Sequence, residues 1–341
     1  MPDLPGATLI SDRFDVGRSF CTKLWNAARF AFISLRGYRH RELALGELES
    51  EDRWILSRLS RTCAAVQEQL SSYRPSAALA AVREFFWGDL CDWYLELIKP
   101  RLSGAGDAAG ADDADADAAR QTVAAVLDGT LRLLHPFVPF ISETLWARLR
   151  ELAPRRGIAG WQPADAELLA VADWPRPDAL LEDAALEADV DRLRGVARAV
   201  RDLRARHGVE ARKPLDAIIR PTGDGGGGSR LDAYEGLIRR AAGLRSLRFA
   251  AGGAPPAGSA SAVVGDHELH LLDVVDVAVE RQRLAKQRDR LQRQIGGSEK
   301  KLANAGFLNN AAAEVVERER QRLADARIEL QAVQQNLSHL T

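Results

Sequence analysis

From Val277 onward, apolar residues return every seventh place. Val277, Leu284 and Leu291 are seven apart, and Ile295 and Leu302 continue the stripe. Beyond "NAGFLNNAA" the pattern resumes at Val316, Leu323, Leu330 and Leu337, with Ala326, Val333 and Leu340 filling the d-like positions. A seven-residue repeat lines one seam of a helix with apolar side chains, and a second helix must cover that seam. Two seamed halves joined by a short turn predict an antiparallel coiled-coil hairpin over 277–340. The absence of Trp, Tyr and Pro from this stretch agrees with a long, uninterrupted arm.

The arm is unevenly charged. Between Arg281 and Lys301 its first helix carries basic residues at 281, 283, 286, 288, 290, 293, 300 and 301 against only Asp289 and Glu299, while the return helix is near neutral. An ordinary solvated coiled-coil surface mixes both signs. The excess makes Arg281, Arg283, Arg288, Arg290, Arg293, Lys300 and Lys301 candidates for phosphate contact. Gly296-Gly297 interrupts the helical pattern and is expected to mark a bend.

Upstream, helical spacing dominates from about Asp12 to Arg150. Trp54, Ile55, Leu59, Val66 and Leu70 follow one helical stripe, and Leu79, Val82, Phe86, Leu90, Trp93 and Leu97 another, with Pro100 expected to end it. "TVAAVLDGTLRLLHPFVPFISETLWARL" predicts two helices broken at His135-Pro136, the second from about Pro139. These pieces predict a bundle of four or five helices over 12–150. Inside it, the low-complexity acidic stretch 103–119 is expected to be a disordered surface loop that repels nucleic acid. A connector rich in Pro, Gly and Trp spans 151–185, and a small α+β module spans 186–275, with "LDAIIRP", "LRSLRFA", "ASAVVG" and "HELHLL" as strands. The fold class is therefore mainly α, with a small α+β junction module between bundle and arm.

Catalytic chemistry has no evident foothold. No GxxxxGK[ST] occurs, no GxGxxG follows a strand, and "GDGGGG" lacks the lysine and helix of a phosphate loop. No His/Cys/Asp/Glu spacing suggests a metal, and no cofactor is expected in this chain. Cys21, Cys63 and Cys91 are scattered and read as free thiols in a reducing cytoplasm. His135 and His207 read as residues fixed at helix ends. No apolar run reaches membrane-spanning length, and "MPDLPGATLI" lacks the basic region of a signal peptide. Arginine far outnumbers lysine, a bias that a GC-rich genome explains without function.

Four stretches carry a resemblance: "TKLWNAARF", "DRWILSRL", "FFWGDLCDWYLELIKPRL" and "LRLLHPFVPFISETLW", in that order. Together they resemble the anticodon-binding helical bundle of class I aminoacyl-tRNA synthetases of the Val/Ile/Leu group. The tail "SEKKLANAGFLNNAAAEVVERERQRLADARIELQAVQQNL" is similar to the C-terminal coiled-coil arm of the valyl-tRNA synthetases. The resemblance implies a tRNA(Val) partner, with the bundle receiving the anticodon loop and the arm leaning on the outer corner of the tRNA. The HIGH-like and KMSKS-like signatures of the catalytic domain are absent from this sequence, so the chain alone is not expected to activate valine. ATP and Mg²⁺ are then expected only in a catalytic part, which would be a partner if the gene is split. Neither a membrane nor DNA is an expected partner. A free-standing tRNA-binding or regulatory protein, or a coiled-coil adaptor, remains an alternative.

Within this frame "SFCTKLWNAARFAF", residues 19–32, divides into faces at ~100° per residue. Phe20, Leu24, Ala27 and Ala31 share one stripe, with Ala28 at its edge. Trp25 and Phe32 lie on one flank and are expected to pack against a neighbouring helix. Lys23, Asn26 and Phe30 lie on the opposite flank, with Arg29 at the back. An aromatic ring beside an amide and cations suits a splayed base, so Lys23, Asn26, Arg29 and Phe30 are the candidate anticodon-binding residues. Simple packing of Phe30 is the competing reading.

Overall fold

The computed structural model describes residues 12–102, 113–210, 213–222, 231–251, 253, 255–256, 258–274, 277–304, 306 and 313–339, and the side chains of most of these. They divide into two compact units, 1–191 and 192–341. Among the described residues no helix is long and apolar enough to cross a membrane.

The first unit is the helical bundle. It comprises α1 (Asp12–Ser34), α2 (Ser50–Ser71), α3 (Pro75–Glu84), α4 (Leu95–Leu102), α5 (Asp113–Leu134) and α6 (Pro139–Leu152). A π-helical segment, Phe85–Tyr94, joins α3 to α4 without a break. Such wider turns are frequent at functional sites because they re-aim the side chains around them. The core is formed by Leu24, Ala28 and Ala31 from α1, Leu35 from the turn after it, Trp54, Ile55, Leu56 and Leu59 from α2, and Phe85 and Phe86 from the π-helical segment. Phe20 meets Phe86 edge-on at 5.5 Å and docks α1 onto that segment. The break after α5 falls at His135, whose Nδ1 lies 2.9 Å from Ser142 Oγ, and Pro139 opens α6.

Two expectations fail here. Pro100 lies inside α4 and does not end it. Its missing N–H costs one bond near the helix end, and the next residue is tightly held: Arg101 Nη2 reaches Asp52 at 2.8 Å and Asp115 at 2.6 Å. The acidic stretch 103–119 is also not all loop. Residues 103–112 lie outside the described residues, but Asp113 already starts α5, and Ala118 and Ala119 are buried. Alanine is the best helix former, and the aspartates sit in the first turns where the helix dipole favours anions. Arg101 takes Asp115, and Arg120 takes Asp117 at 2.9 Å.

The connector is packed onto the bundle. Asp128, fully buried on α5, holds Arg132 Nη2 at 2.7 Å and Arg156 Nε at 2.8 Å. Arg132 donates onward to the carbonyls of Gln162 and Asp173, and Arg156 to that of Ala164. Each guanidinium also lies over a connected ring, Arg132 5.3 Å from Trp161 and Arg156 4.6 Å from Trp146. Trp161 fits because residue 129 is glycine: a Cβ there would meet the indole at 2.5 Å.

Helix α7 (Ala184–Arg206) begins in the first unit and ends in the second. The second unit then builds a four-stranded sheet from β1 (Leu215–Pro221), β2 (Leu244–Phe249), β3 (Ala260–Val264) and β4 (His267–Leu271), in the order β2-β1-β4-β3. β1 runs parallel to β2 and antiparallel to β4, with Ala217 opposite Leu271, and β3 pairs antiparallel with β4. Between β1 and β2 lies α8 (Glu235–Ala242), which turns straight into β2 through Gly243 at φ +61°. The strands fall in the four segments expected of them, and the fold is mainly α with an α+β module.

The arm is a hairpin of α9 (Val277–Ala303) and α10 (Ala313–His339). Leu284, Leu291, Ile295, Ala326 and Val333 are buried in its seam, with Leu323, Leu330 and Leu337 packed against them. Cross-helix bonds fix the antiparallel sense: Gln287 with Glu329, Ser298 with Glu319, and Arg327 with Glu299. The turn "NAGFLNNAA" lies almost wholly outside the described residues. Gly296 and Gly297 do not interrupt α9, which runs unbroken through them. The seam residues on either side, Leu291 and Ile295 before and Ser298 after, stay buried and carry the helix across. A Cβ added at either glycine would meet nothing within 4 Å. Replacing each by alanine is expected to stabilise the arm by about 1 kcal/mol, read as slower amide exchange along α9.

Candidate nucleic-acid interface

Helix α1 has two accessible flanks, and the candidate residues divide between them. On the first, Lys23 lies 4.7 Å from the centre of the Trp87 ring and 3.1 Å from Asp92. One helical turn on, Asn26 is exposed, and beyond it Phe30 is half-buried with Lys99 Nζ 5.6 Å from its ring centre. Lys99 also bonds Glu96 on its own helix. Two rings, two ammonium groups and two carboxylates thus gather where α1 meets the π-helical segment and α4, with the exposed amide of Asn26 on the same flank of α1. Rings offer stacking faces, lysines offer phosphate contact, and Asn26 and Asp92 offer hydrogen bonds to base edges. The Lys23–Asp92 pair is solvent-accessible, so parting it for a ligand costs at most about 1 kcal/mol.

The structure brings Lys23, Asn26 and Phe30 together and separates Arg29 from them. Arg29 lies on the second flank, in a cavity of about 580 Å³ lined by Trp25, Phe32, Ile33, Arg36, Thr144, Leu145 and Arg148. Trp25 is 48% exposed and Phe32 partly buried on the side facing α6, so the flank expected to pack against a neighbouring helix does so only in part. Core packing on α1 is completed by Phe20, Leu24, Ala28, Ala31 and Leu35, and Ala27 is only half-buried. Trp87, Asp92 and Lys99 were missed by sequence reasoning. Their signal is weak: Asp92, Glu96 and Lys99 are simply the polar positions left by the apolar stripe of their helix.

On the arm, Arg281, Arg290, Arg293, Lys300 and Lys301 are exposed and Arg288 is half-buried. The side chain of Arg283 lies outside the described residues. Arg288 is paired with Asp289 at 2.8 Å, Arg293 Nε donates to the carbonyl of Asp289, and Lys301 lies 3.9 Å from Glu319. Arg281, Arg290 and Lys300 have no side-chain partner among the described residues, which leaves their charge available.

Two of the three thiols are not poised for chemistry. Burial pushes both Cys63 and Cys91 up to about 12, so neither is a thiolate near neutrality.

In comparison with known proteins the matched bundle region begins at residue 52 and leaves out α1. Residues 52–219, which include Trp87, Asp92 and Lys99, match the family described as the anticodon-binding domain of tRNA ligase. Residues 276–341 match the valyl tRNA synthetase tRNA binding arm. The valine–tRNA ligase of Dechloromonas aromatica (strain RCB) is 35% identical over 352 residues, covering 98% of this chain and 35% of that protein. That of Rhodopirellula baltica is 32% identical over 349 residues, covering 99% and 32%, and that of Thermosynechococcus vestitus 35% over 332, covering 96% and 34%. The chain spans about a third of the length of the curated relatives it matches. With an anticodon-binding bundle at one end of its sequence and a tRNA binding arm at the other, the chain belongs to the valyl-tRNA synthetase family.

Proposed function

We propose that this chain binds tRNA(Val) in the cytoplasm in support of its ATP-dependent valylation by a valine–tRNA ligase. The bundle takes the anticodon loop on the flank of Lys23, Asn26 and Phe30, and the arm takes the outer corner of the tRNA through Arg281, Arg290, Arg293, Lys300 and Lys301. The observation that supports this most is the pair of lysines set over Phe30 and Trp87 where α1 crosses the π-helical segment. Bases of a single-stranded loop can splay out and stack there, which a duplex cannot do. Gripping the loop and the corner together fixes the orientation of the whole L-shaped molecule, and so the direction of its acceptor end. ATP and Mg²⁺ belong to the catalytic part of such a ligase. In this chain the described residues gather no group of three His, Cys, Asp or Glu able to hold a metal ion.

The test is filter binding of a valine tRNA across a salt series. Affinity is expected to fall linearly with log salt. Reversing Arg281, Arg290 and Lys300 to Glu together is expected to flatten that slope by about 2–3, since each lost phosphate contact contributes ~0.9. Absent or salt-independent binding would remove the tRNA reading and favour a protein adaptor.

A further inference from the structure

Helix α1 is apolar on two faces. One is fully used: Phe20, Leu24, Ala28, Ala31 and Leu35 are buried in the bundle. The other runs through Trp25, Arg29, Phe32 and Ile33, at steps of four, three and one, and continues to Arg36 in the turn that follows the helix. A helix at the edge of a bundle needs only one apolar stripe. Here the second stripe faces the cavity it shares with Thr144, Leu145 and Arg148 of α6. Leu145 is the buried floor, while Trp25 and Ile33 stand half-exposed on the wall.

The composition of this face points to its occupant. It joins tryptophan, phenylalanine, isoleucine and leucine to arginine, with no lysine and no carboxylate in the lining. Tryptophan and arginine are enriched in the anchor regions of protein–protein interfaces, where lysine and acidic residues are depleted. The flank around Lys23 is the reverse, with lysines and carboxylates beside its rings. Arg29 and Arg36 have no side-chain partner among the described residues, so the surface that covers them should supply carboxylates. The curated relatives also contain much more chain: the D. aromatica ligase shares only 35% of its length with this chain.

We propose that the Trp25–Ile33 face of α1, with α6, is the docking site for an apolar, acid-rimmed surface on the rest of a valine–tRNA ligase polypeptide. Trp25 and Ile33 are its anchors, and Arg29 and Arg36 its ion-pairing rim. Within one polypeptide such a contact needs little area, because tethering supplies an effective concentration in the millimolar range. The proposal rests on the family assignment and is independent of the anticodon reading.

Cysteine alkylation tests it in intact proteins. Ile33→Cys is introduced into this chain, and cysteine at the aligned position into the full-length D. aromatica ligase, with labelling followed by peptide mass spectrometry. Phe30→Cys and its counterpart serve as the second pair. The residue-33 thiol is expected to react at least tenfold more slowly in the full-length ligase than in this chain, without any tRNA. The residue-30 thiol should react equally in both and slow only when valine tRNA is added, at a concentration that saturates the weakened binding expected of the Phe30→Cys variant. Equal rates at position 33 would overturn the docking site. So would protection at position 33 that appears only with tRNA, since that would make the face an RNA surface. Loss of the tRNA effect at position 30 alone would instead sink the anticodon reading and leave the docking site standing.

Discussion

Asp128→Ala is expected to destabilise the bundle by about 3–5 kcal/mol, the usual cost of leaving buried charges without their counter-ion. Asp128 is fully buried, and both its carboxylate oxygens are committed, one to Arg132 and one to Arg156. Without it, two guanidiniums at 5% and 2% exposure face each other with no counter-charge. The connector is the first element to suffer, because Arg132 and Arg156 hold its backbone carbonyls in place. For a unit of this size the melting temperature is expected to fall by roughly 6–20 °C, at 2–4 °C per kcal/mol. Thermal unfolding followed by tryptophan fluorescence reads it, since Trp146 and Trp161 lie against the two arginines. Asp128→Asn, which keeps an acceptor and loses the charge, is expected to fall between wild type and alanine. A melting point unchanged in Asp128→Ala would mean that the network contributes no net stability.

Phe30→Ala is expected to weaken binding of valine tRNA by roughly 5- to 150-fold, from a stacking contribution of about 1–3 kcal/mol per base. The ring is half-exposed and already carries Lys99 on one side, so truncation removes a stacking face without opening the core. Lys23→Ala should cost less and reduce the salt slope by about one contact. Arg29→Ala is the internal control, because its side chain lies on the other flank of α1. Filter binding at a fixed salt concentration ranks the three. Weak binding in Arg29→Ala with normal binding in Phe30→Ala would reverse the assignment of the two flanks.

How far the sequence disclosed these features depended on the range of the interaction involved. The arm seam was legible because Leu284, Leu291 and Ile295 repeat within a single helix, and period alone places them on one side. The same holds for Phe20, Leu24 and Ala31 in α1 and for the break at His135-Pro136. The candidate site was half legible: Lys23, Asn26 and Phe30 share a helical flank, but their partners Trp87, Asp92 and Lys99 lie some 65–70 positions away. The π-helical segment hid them further, because a 100° projection misplaces side chains inside a wider turn. Trp25 was misread because a large aromatic on a helix ordinarily means core, and nothing local tells a second apolar face from the first. The start of α5 was misread because an Asp/Ala repeat suggests a solvated tail. The burial of Ala118 and Ala119 and the pairing of Asp115 with Arg101 draw the repeat into the helix, and neither is visible locally.

Among the described residues the seam of the hairpin arm is one layer deep, a cluster of five buried side chains with three more packed against them. Alanine and valine on α10 fill it thinly. Local opening is therefore cheap here compared with the bundle, and amides along α9 and α10 should be among the first to exchange. Crowding eight basic residues onto α9 lowers that opening cost further through their mutual repulsion. A polyanion that neutralises them gains twice, once by contact and once by closing the hairpin. The arm is thus suited to be a structure whose rigidity is conferred by the molecule it holds.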